Sequence, residues 1–78
     1  MRDYRPIDCS LYSRYELAVM HRQRLRVVWR SGDGIVHMEM LLPIDLRTRD
    51  HAEYLLARRQ TGEELEMRLD QIIRVEFF

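Results

Sequence analysis

Tyr4–Met20, reading YRPIDCSLYSRYELAVM, is an extended lead-in that runs into a helix, and a helix ahead of every strand decides the fold. Pro6 has no N–H and a fixed φ, so Tyr4 to Ile7 reads as extended chain. Asp8 follows as a helix N-cap, because its carboxylate can accept from the free N–H groups of the first turn. On that register Ile7 precedes the cap and Tyr12 takes the fourth helical position, the spacing of a hydrophobic staple. At about 100° per residue, Leu11, Tyr12, Tyr15, Ala18 and Val19 share one face, while Leu17 and Met20 point elsewhere. A helix over 9–21 is therefore expected, with an apolar face that needs a body to lie on.

Past His21 the period changes from helical to alternating. Leu25, Val27 and Trp29 point one way and Arg24, Arg26 and Arg30 the other, the pattern of a half-buried strand. Ser31-Gly32-Asp33-Gly34 is a turn. A second strand follows, with Val36, Met38, Met40 and Leu42 expected inward and His37 and Glu39 outward. Pro43 should end it, having no N–H for a ladder. Ile44 to Ala52 (IDLRTRDHA) reads as a polar connection, and Arg59 to Gly62 as another turn. Later, Leu65, Met67 and Leu69 face in, Glu64, Glu66 and Arg68 face out, and Asp70-Gln71 is a short break before the last strand. The pattern predicts strands near 24–31, 35–42, 53–58, 63–69 and 73–77. The predicted core is Leu25, Val27, Trp29, Val36, Met38, Met40, Leu65, Met67 and Val75.

One helix and five short antiparallel strands make a mainly β domain with too little sheet for a sandwich. Curling into a small, partly open five-stranded barrel hides most edges, and the N-terminal α-helix can cap an open end. An OB-fold usually carries its helix between the third and fourth strands, whereas an Sm-like barrel carries it first, so the expected fold is Sm-like. Seventy-eight residues form one domain, 1–78, with no room for a second core.

Thirteen basic and thirteen acidic side chains cancel, so no global field draws the chain to nucleic acid or membrane. Every basic residue is arginine, which favours planar, bidentate contacts to carboxylate or phosphate. No apolar run approaches the ~20 residues of a transmembrane helix. Asp3 and Asp8 interrupt the region where a secretory signal would be apolar, and the single cysteine fits a reducing cytoplasm. Catalytic constellations are absent, and neither enzyme activity nor a cofactor is expected. Cys9 reads as a small buried residue securing the helix, not as a nucleophile. His21, His37 and His51 match no zinc spacing, so no metal site is expected. Glu64 and Glu66 read as a solvated face answering nearby arginines, and Gly32 and Gly34 as turn glycines.

The basic feature with a pattern is Arg22, Arg24, Arg26 and Arg30, a window without any acid. On a strand three of them form a stripe, with Trp29 on the opposite face where it cannot interleave as a base-stacking platform. That stripe is expected to be a solvated face paired with Glu39 or Glu66 across the sheet. The alternative is an Sm-like RNA-binding module using these four arginines.

Tyr4-x-Pro6-Ile7-Asp8-Cys9, then Tyr12 and Glu16-Leu17-Ala18, resembles the opening of the Rho-binding antiterminator family of bacteria, small modulators of Rho-dependent transcription termination. The likeness continues through Asp45-Leu46, Arg49, Glu53-Tyr54-Leu55, Gly62 and Arg68-Leu69-Asp70-Gln71-Ile72, nearly the whole chain in order. It implies an Sm-like barrel with an N-terminal helix. It also implies a partner of transcription termination factor Rho that occupies Rho's primary RNA-binding domain and blocks RNA loading. The chain is expected to be a monomer that does not bind nucleic acid directly. Position by position, Tyr12, Glu16 and Arg49 match the family's partner-facing surface. Asp8 adds a carboxylate at the helix start. The family's helix start is rich in acids, whereas Ser10, Leu11, Ser13 and Arg14 stand there in this chain.

Overall fold

A computed structural model describes residues 3–78. The helix α1 spans Cys9–His21 and is followed by β1 (Leu25–Arg30), β2 (Val36–Arg49), β3 (Ala52–Arg59) and β4 (Glu64–Arg68). A 3-10 turn, Leu69–Gln71, then leads into β5 (Ile72–Phe77). All strand pairs are antiparallel, in the order β4-β3-β2-β1-β5. The two edge strands are thus consecutive in sequence. In a flat sheet five strands at about 4.8 Å would separate those edges by roughly 19 Å. A three-residue turn spans only about 10 Å, so the sheet curls until its edges approach each other. The fold is the mainly β, helix-first small sheet that the pattern predicts.

The helix begins and ends where the sequence places it. Asp8 is the N-cap residue, but its carboxylate makes no capping bond and instead accepts from the Ser10 hydroxyl. At the other end Arg22 adopts a left-handed conformation (φ 52°), and its N–H returns to the Ala18 and Val19 carbonyls. Tyr15 and Ala18 are fully buried, with Leu11, Tyr12 and Val19 packed around them, while Leu17 and Met20 stay in solvent. Cys9 is exposed rather than buried. Seven residues before Glu16, it lies on nearly the same side of the helix, turned from the core.

Inside the curl, Leu25, Val27, Trp29, Leu41, Leu55, Ala57, Met67 and Leu69 meet Tyr15 and Ala18. The Tyr15 ring tilts against Phe77 with 5.6 Å between centroids. Its hydroxyl is buried without a partner among the described residues, and burial pushes the phenol up to about 12. A bidentate bond holds the turn between β4 and β5: Arg68 donates from Nε to Asp70 Oδ1 and from Nη2 to Oδ2, both at 2.7 Å. Asp70 Oδ2 also accepts the Arg5 N–H at 3.0 Å, tying the lead-in to the turn between the edge strands.

Three expectations fail along β2. Its first half is turned over: Val36 and Met38 are exposed, Met40 is partly buried, and Leu41 and Pro43 are the inward residues. The pairing dictates this. Leu25 lies opposite Leu41 and Val27 opposite Glu39, and directly paired residues share a face. His37 therefore sits on the core side, stacked on Trp29 at 5.0 Å and 17° with its Nε2 3.0 Å from Ser31 Oγ. Glu39 forms an ion pair there with Arg59 Nε at 3.0 Å, off the axis of an aligned N–H bond.

Pro43 does not end the strand. The β1 ladder stops at Leu41, so nothing on that side needs a donor from residue 43, and β2 continues against β3 through a bulge between Pro43 and Asp45. Consequently Ile44 to Ala52 is not a loop. Its chain pairs residue by residue with β3 up to Arg49↔Ala52, leaving Asp50 (φ 52°) and His51 (φ 63°) as a two-residue hairpin turn. Leu65 and Val75 pack at the margin of the core rather than within it. A bulge between Val28 and Trp29 in the β1–β5 ladder brings Ile72 opposite Trp29 and leaves Ile73 exposed.

Candidate partner-binding surface

The candidate surface is built where α1 crosses the end of the sheet, against β2. Tyr12 lies at the edge of the helix's packed face, and Glu16, one turn on, stands in solvent. Glu53 comes up from the start of β3, where it faces Thr48 across the ladder. Tyr4, delivered by the extended lead-in, donates its hydroxyl to Glu53 Oε1 at 3.1 Å. Burial, then the Glu53 and Glu16 carboxylates and more weakly that of Asp45, raise the Tyr12 phenol above its ordinary value. Burial and Glu53 raise Tyr4 likewise. Two neutral phenols thus stand among carboxylates. Both hydroxyls are engaged with Glu53, so the surface offers ring faces and phenol oxygens with negative charge around them, which suits a cationic partner.

Tyr12 and Glu16 are therefore brought together, and Glu53 and Tyr4 join them. Sequence reasoning left those two out of the site although both belong to the motifs that carry the resemblance. Asp8 lies at the exposed helix start beside Ser10. Arg49 is placed differently. It sits on the outer face of β2, paired with Glu66 at 2.6 Å and stacked over the Tyr54 ring at 4.2 Å. The Glu66 hydrogen bond raises its guanidinium further above the ordinary arginine value. Arg47 also approaches Glu66 (3.8 Å), and Arg58 pairs with Glu64 at 2.9 Å, so Glu64 and Glu66 do answer neighbouring arginines.

The arginine window divides. Arg22 caps the helix, whereas Arg24, Arg26 and Arg30 lie on the outer face of the sheet. The stripe's acid is neither Glu39, which faces the core side, nor Glu66, which is engaged on β4. Arg26 instead reaches Glu76 of β5 at 3.5 Å. Among the described residues no group of three or more His, Cys, Asp or Glu side chains could hold a metal ion. No helix among them is long and apolar enough to cross a membrane.

No family model matches the chain, and no curated protein matches it. A solved structure does: part of proteasome accessory factor B/C (PafBC) of Arthrobacter aurescens superposes with a TM-score of 0.79 at 19% identity. The match covers 99% of this chain and 12% of that one. At that identity the likeness is one of fold, and this chain spans about an eighth of the protein it matches.

Proposed function

We propose that this protein binds transcription termination factor Rho at its N-terminal RNA-binding domain, keeps RNA from loading, and so suppresses Rho-dependent termination. The observation that carries the reading is the convergence of Tyr12, Glu16, Tyr4 and Glu53, all motif residues of the resemblance, on one acidic, phenol-bearing surface beside α1. A single-strand RNA cleft is basic and lined with stacking platforms. A protein that blocks it does so by offering carboxylates and aromatic rings. Arg49 and Asp8 belong to the same proposal, Arg49 as a second contact set by its bond to Glu66. The protein acts as a cytoplasmic monomer in this reading and needs no cofactor.

Glu16→Arg is the test. Glu16 stands in solvent, so the melting curve should move little, while affinity for the purified RNA-binding domain of the host's Rho should fall at least tenfold. Isothermal titration of both proteins against that domain decides it. Unchanged affinity would remove Glu16 from the interface, and absence of binding by the unmodified protein would remove the Rho reading.

A further inference from the structure

The outer face of β1 and the first half of β2 carries an arrangement that folding does not require. Val36, Met38, Met40 and Leu42 lie along it, with Val36 49% and Met38 67% exposed, and Val28 stands directly beside Met38. The polar residues of the same segment, His37 and Glu39, are turned to the core side. A strand that hides its polar residues and shows its apolar ones leaves a continuous apolar strip, the usual mark of an interaction surface.

Arginines rim that strip. Arg30 lies opposite Val36, Arg26 opposite Met40, Arg74 opposite Val28 and Arg58 opposite Leu42. Two of these charges are answered on the spot, Arg26 by Glu76 and Arg58 by Glu64. Arg24 and Arg74 make no ion pair among the described residues. At the Leu42 end, Arg24, Met40, Leu42 and Arg58 line a cavity of about 220 Å³, large enough to seat one apolar side chain between two guanidinium groups.

We propose that this face docks an amphipathic, acidic helix of a partner protein, with its apolar side on the Val36–Leu42 strip and its carboxylates on Arg24, Arg30 and Arg74. The dimensions agree. The six steps from Val36 to Leu42 extend about 20 Å, the length of about 13 helical residues. Methionine side chains adapt to such a guest, which is why they recur on helix-binding surfaces. RNA fits less well, because bases need aromatic platforms. Trp29 is buried inside, and among the described residues the face has a single ring, Phe78, at one corner beneath Arg26 at 5.4 Å. The face is distinct from the α1 surface, so it stands or falls independently of the Rho reading.

The experiment is a titration of isotope-labelled protein, followed by backbone amide shifts, with three probes. One is a 16-residue helix-forming peptide with leucines on one side and glutamates flanking them; the second replaces every glutamate by lysine; the third is a 12-nucleotide single-stranded RNA. The acidic peptide should shift Val28, Met38, Met40 and Arg74 while leaving Tyr12 and Glu16 unmoved, and the lysine peptide should bind at least tenfold more weakly. Met38→Glu with Met40→Glu should weaken the acidic peptide at least tenfold, and Arg24→Glu with Arg74→Glu should do so without touching the strip. Both double variants should keep wild-type affinity for Rho's RNA-binding domain, if the unmodified protein has any. No shifts with the acidic peptide, shifts confined to α1, equal binding of the lysine peptide, or tighter binding of the RNA on this face would each overturn the proposal.

Discussion

β1 and the first half of β2 run side by side, paired from Leu25↔Leu41 to Arg30↔Val36, yet they stand in opposite relation to the core. In β1 Leu25, Val27 and Trp29 are buried and Arg26 and Arg30 face water. In β2 the apolar residues Val36 and Met38 face water, while His37 and Glu39 face the core side and are held there by Trp29, Ser31 and Arg59. Both strands alternate with the same period. Alternation therefore fixes which residues share a face but not which face is inside. What breaks the tie is the neighbour: once Leu25, Val27 and Trp29 are committed inward, the ladder commits His37, Glu39 and Leu41 with them.

The contrast is broken most forcefully at Val27, which is fully buried. Val27→Asp should abolish the cooperative melt, since an unpaired buried carboxylate costs several kcal/mol and a domain this size has little more to lose. Its neighbour Met38, on the other face of the same two strands, should accept the same change with a nearly unmoved melt by circular dichroism. Equal effects at the two sites would refute the assignment of faces.

A second effect, smaller but still large, concerns what a polar group near the core needs. Burial raises the carboxyl of Asp70, but the Arg68 bidentate bond and the Arg5 N–H outweigh it and hold the group below the ordinary carboxylate range. A depressed folded value means that the stabilisation is complete above the unfolded value of about 3.9 and is lost as pH falls through the folded one. Asp70→Asn should cost about 2 kcal/mol at neutral pH. Melts recorded from pH 7 to pH 3 should show the two proteins converging in acid. A gap that stays constant with pH would mean the carboxylate's charge contributes nothing.

Much of this was legible because local signals agreed. The ends of α1 follow from Pro6, Asp8 and the loss of helical period after His21, and the register of β1 from Leu25, Val27 and Trp29 alternating with Arg24, Arg26 and Arg30, with only Val28 out of pattern. Three features were illegible for reasons that lie outside local sequence. Pro43 is tolerated in mid-strand only because β1 happens to stop at Leu41. The Asp50-His51 turn puts two non-glycine residues at positive φ, where sequence gives little warning, so the chain flanking it looks like a loop. The inversion of β2 depends on its partner strand. The site divides the same way. Tyr12 and Glu16, four residues apart on a helix, were bound to be neighbours, but Glu53 and Tyr4 reach them only through the hairpin and the lead-in, and Arg49 was carried to another face by the same long strand.

Tyr15 sharpens the contrast from within the core. His37 and Glu39 face inward with partners, whereas the Tyr15 hydroxyl is buried with none. Tyr15→Phe removes an unsatisfied group while keeping the ring against Phe77, and should raise stability by about 1 kcal/mol. On a domain this small that is a rise of roughly 4–8 °C in melting midpoint. A lower midpoint would show that the hydroxyl is satisfied in solution.

The smallest expected effect discriminates best between the two readings of β2. If Met38 and Met40 were core residues, as alternation alone suggested, replacing both by threonine would empty part of the interior and cost several kcal/mol. On the face where the structure puts them, most of the Met38 surface is already in water, so little burial is lost. Threonine also suits a strand facing solvent. Met38→Thr with Met40→Thr should therefore shift stability by no more than about 0.5 kcal/mol per site, with an unchanged dependence on urea concentration. A midpoint drop comparable to that of a buried methionine would return the pair to the core, and with it remove the docking face.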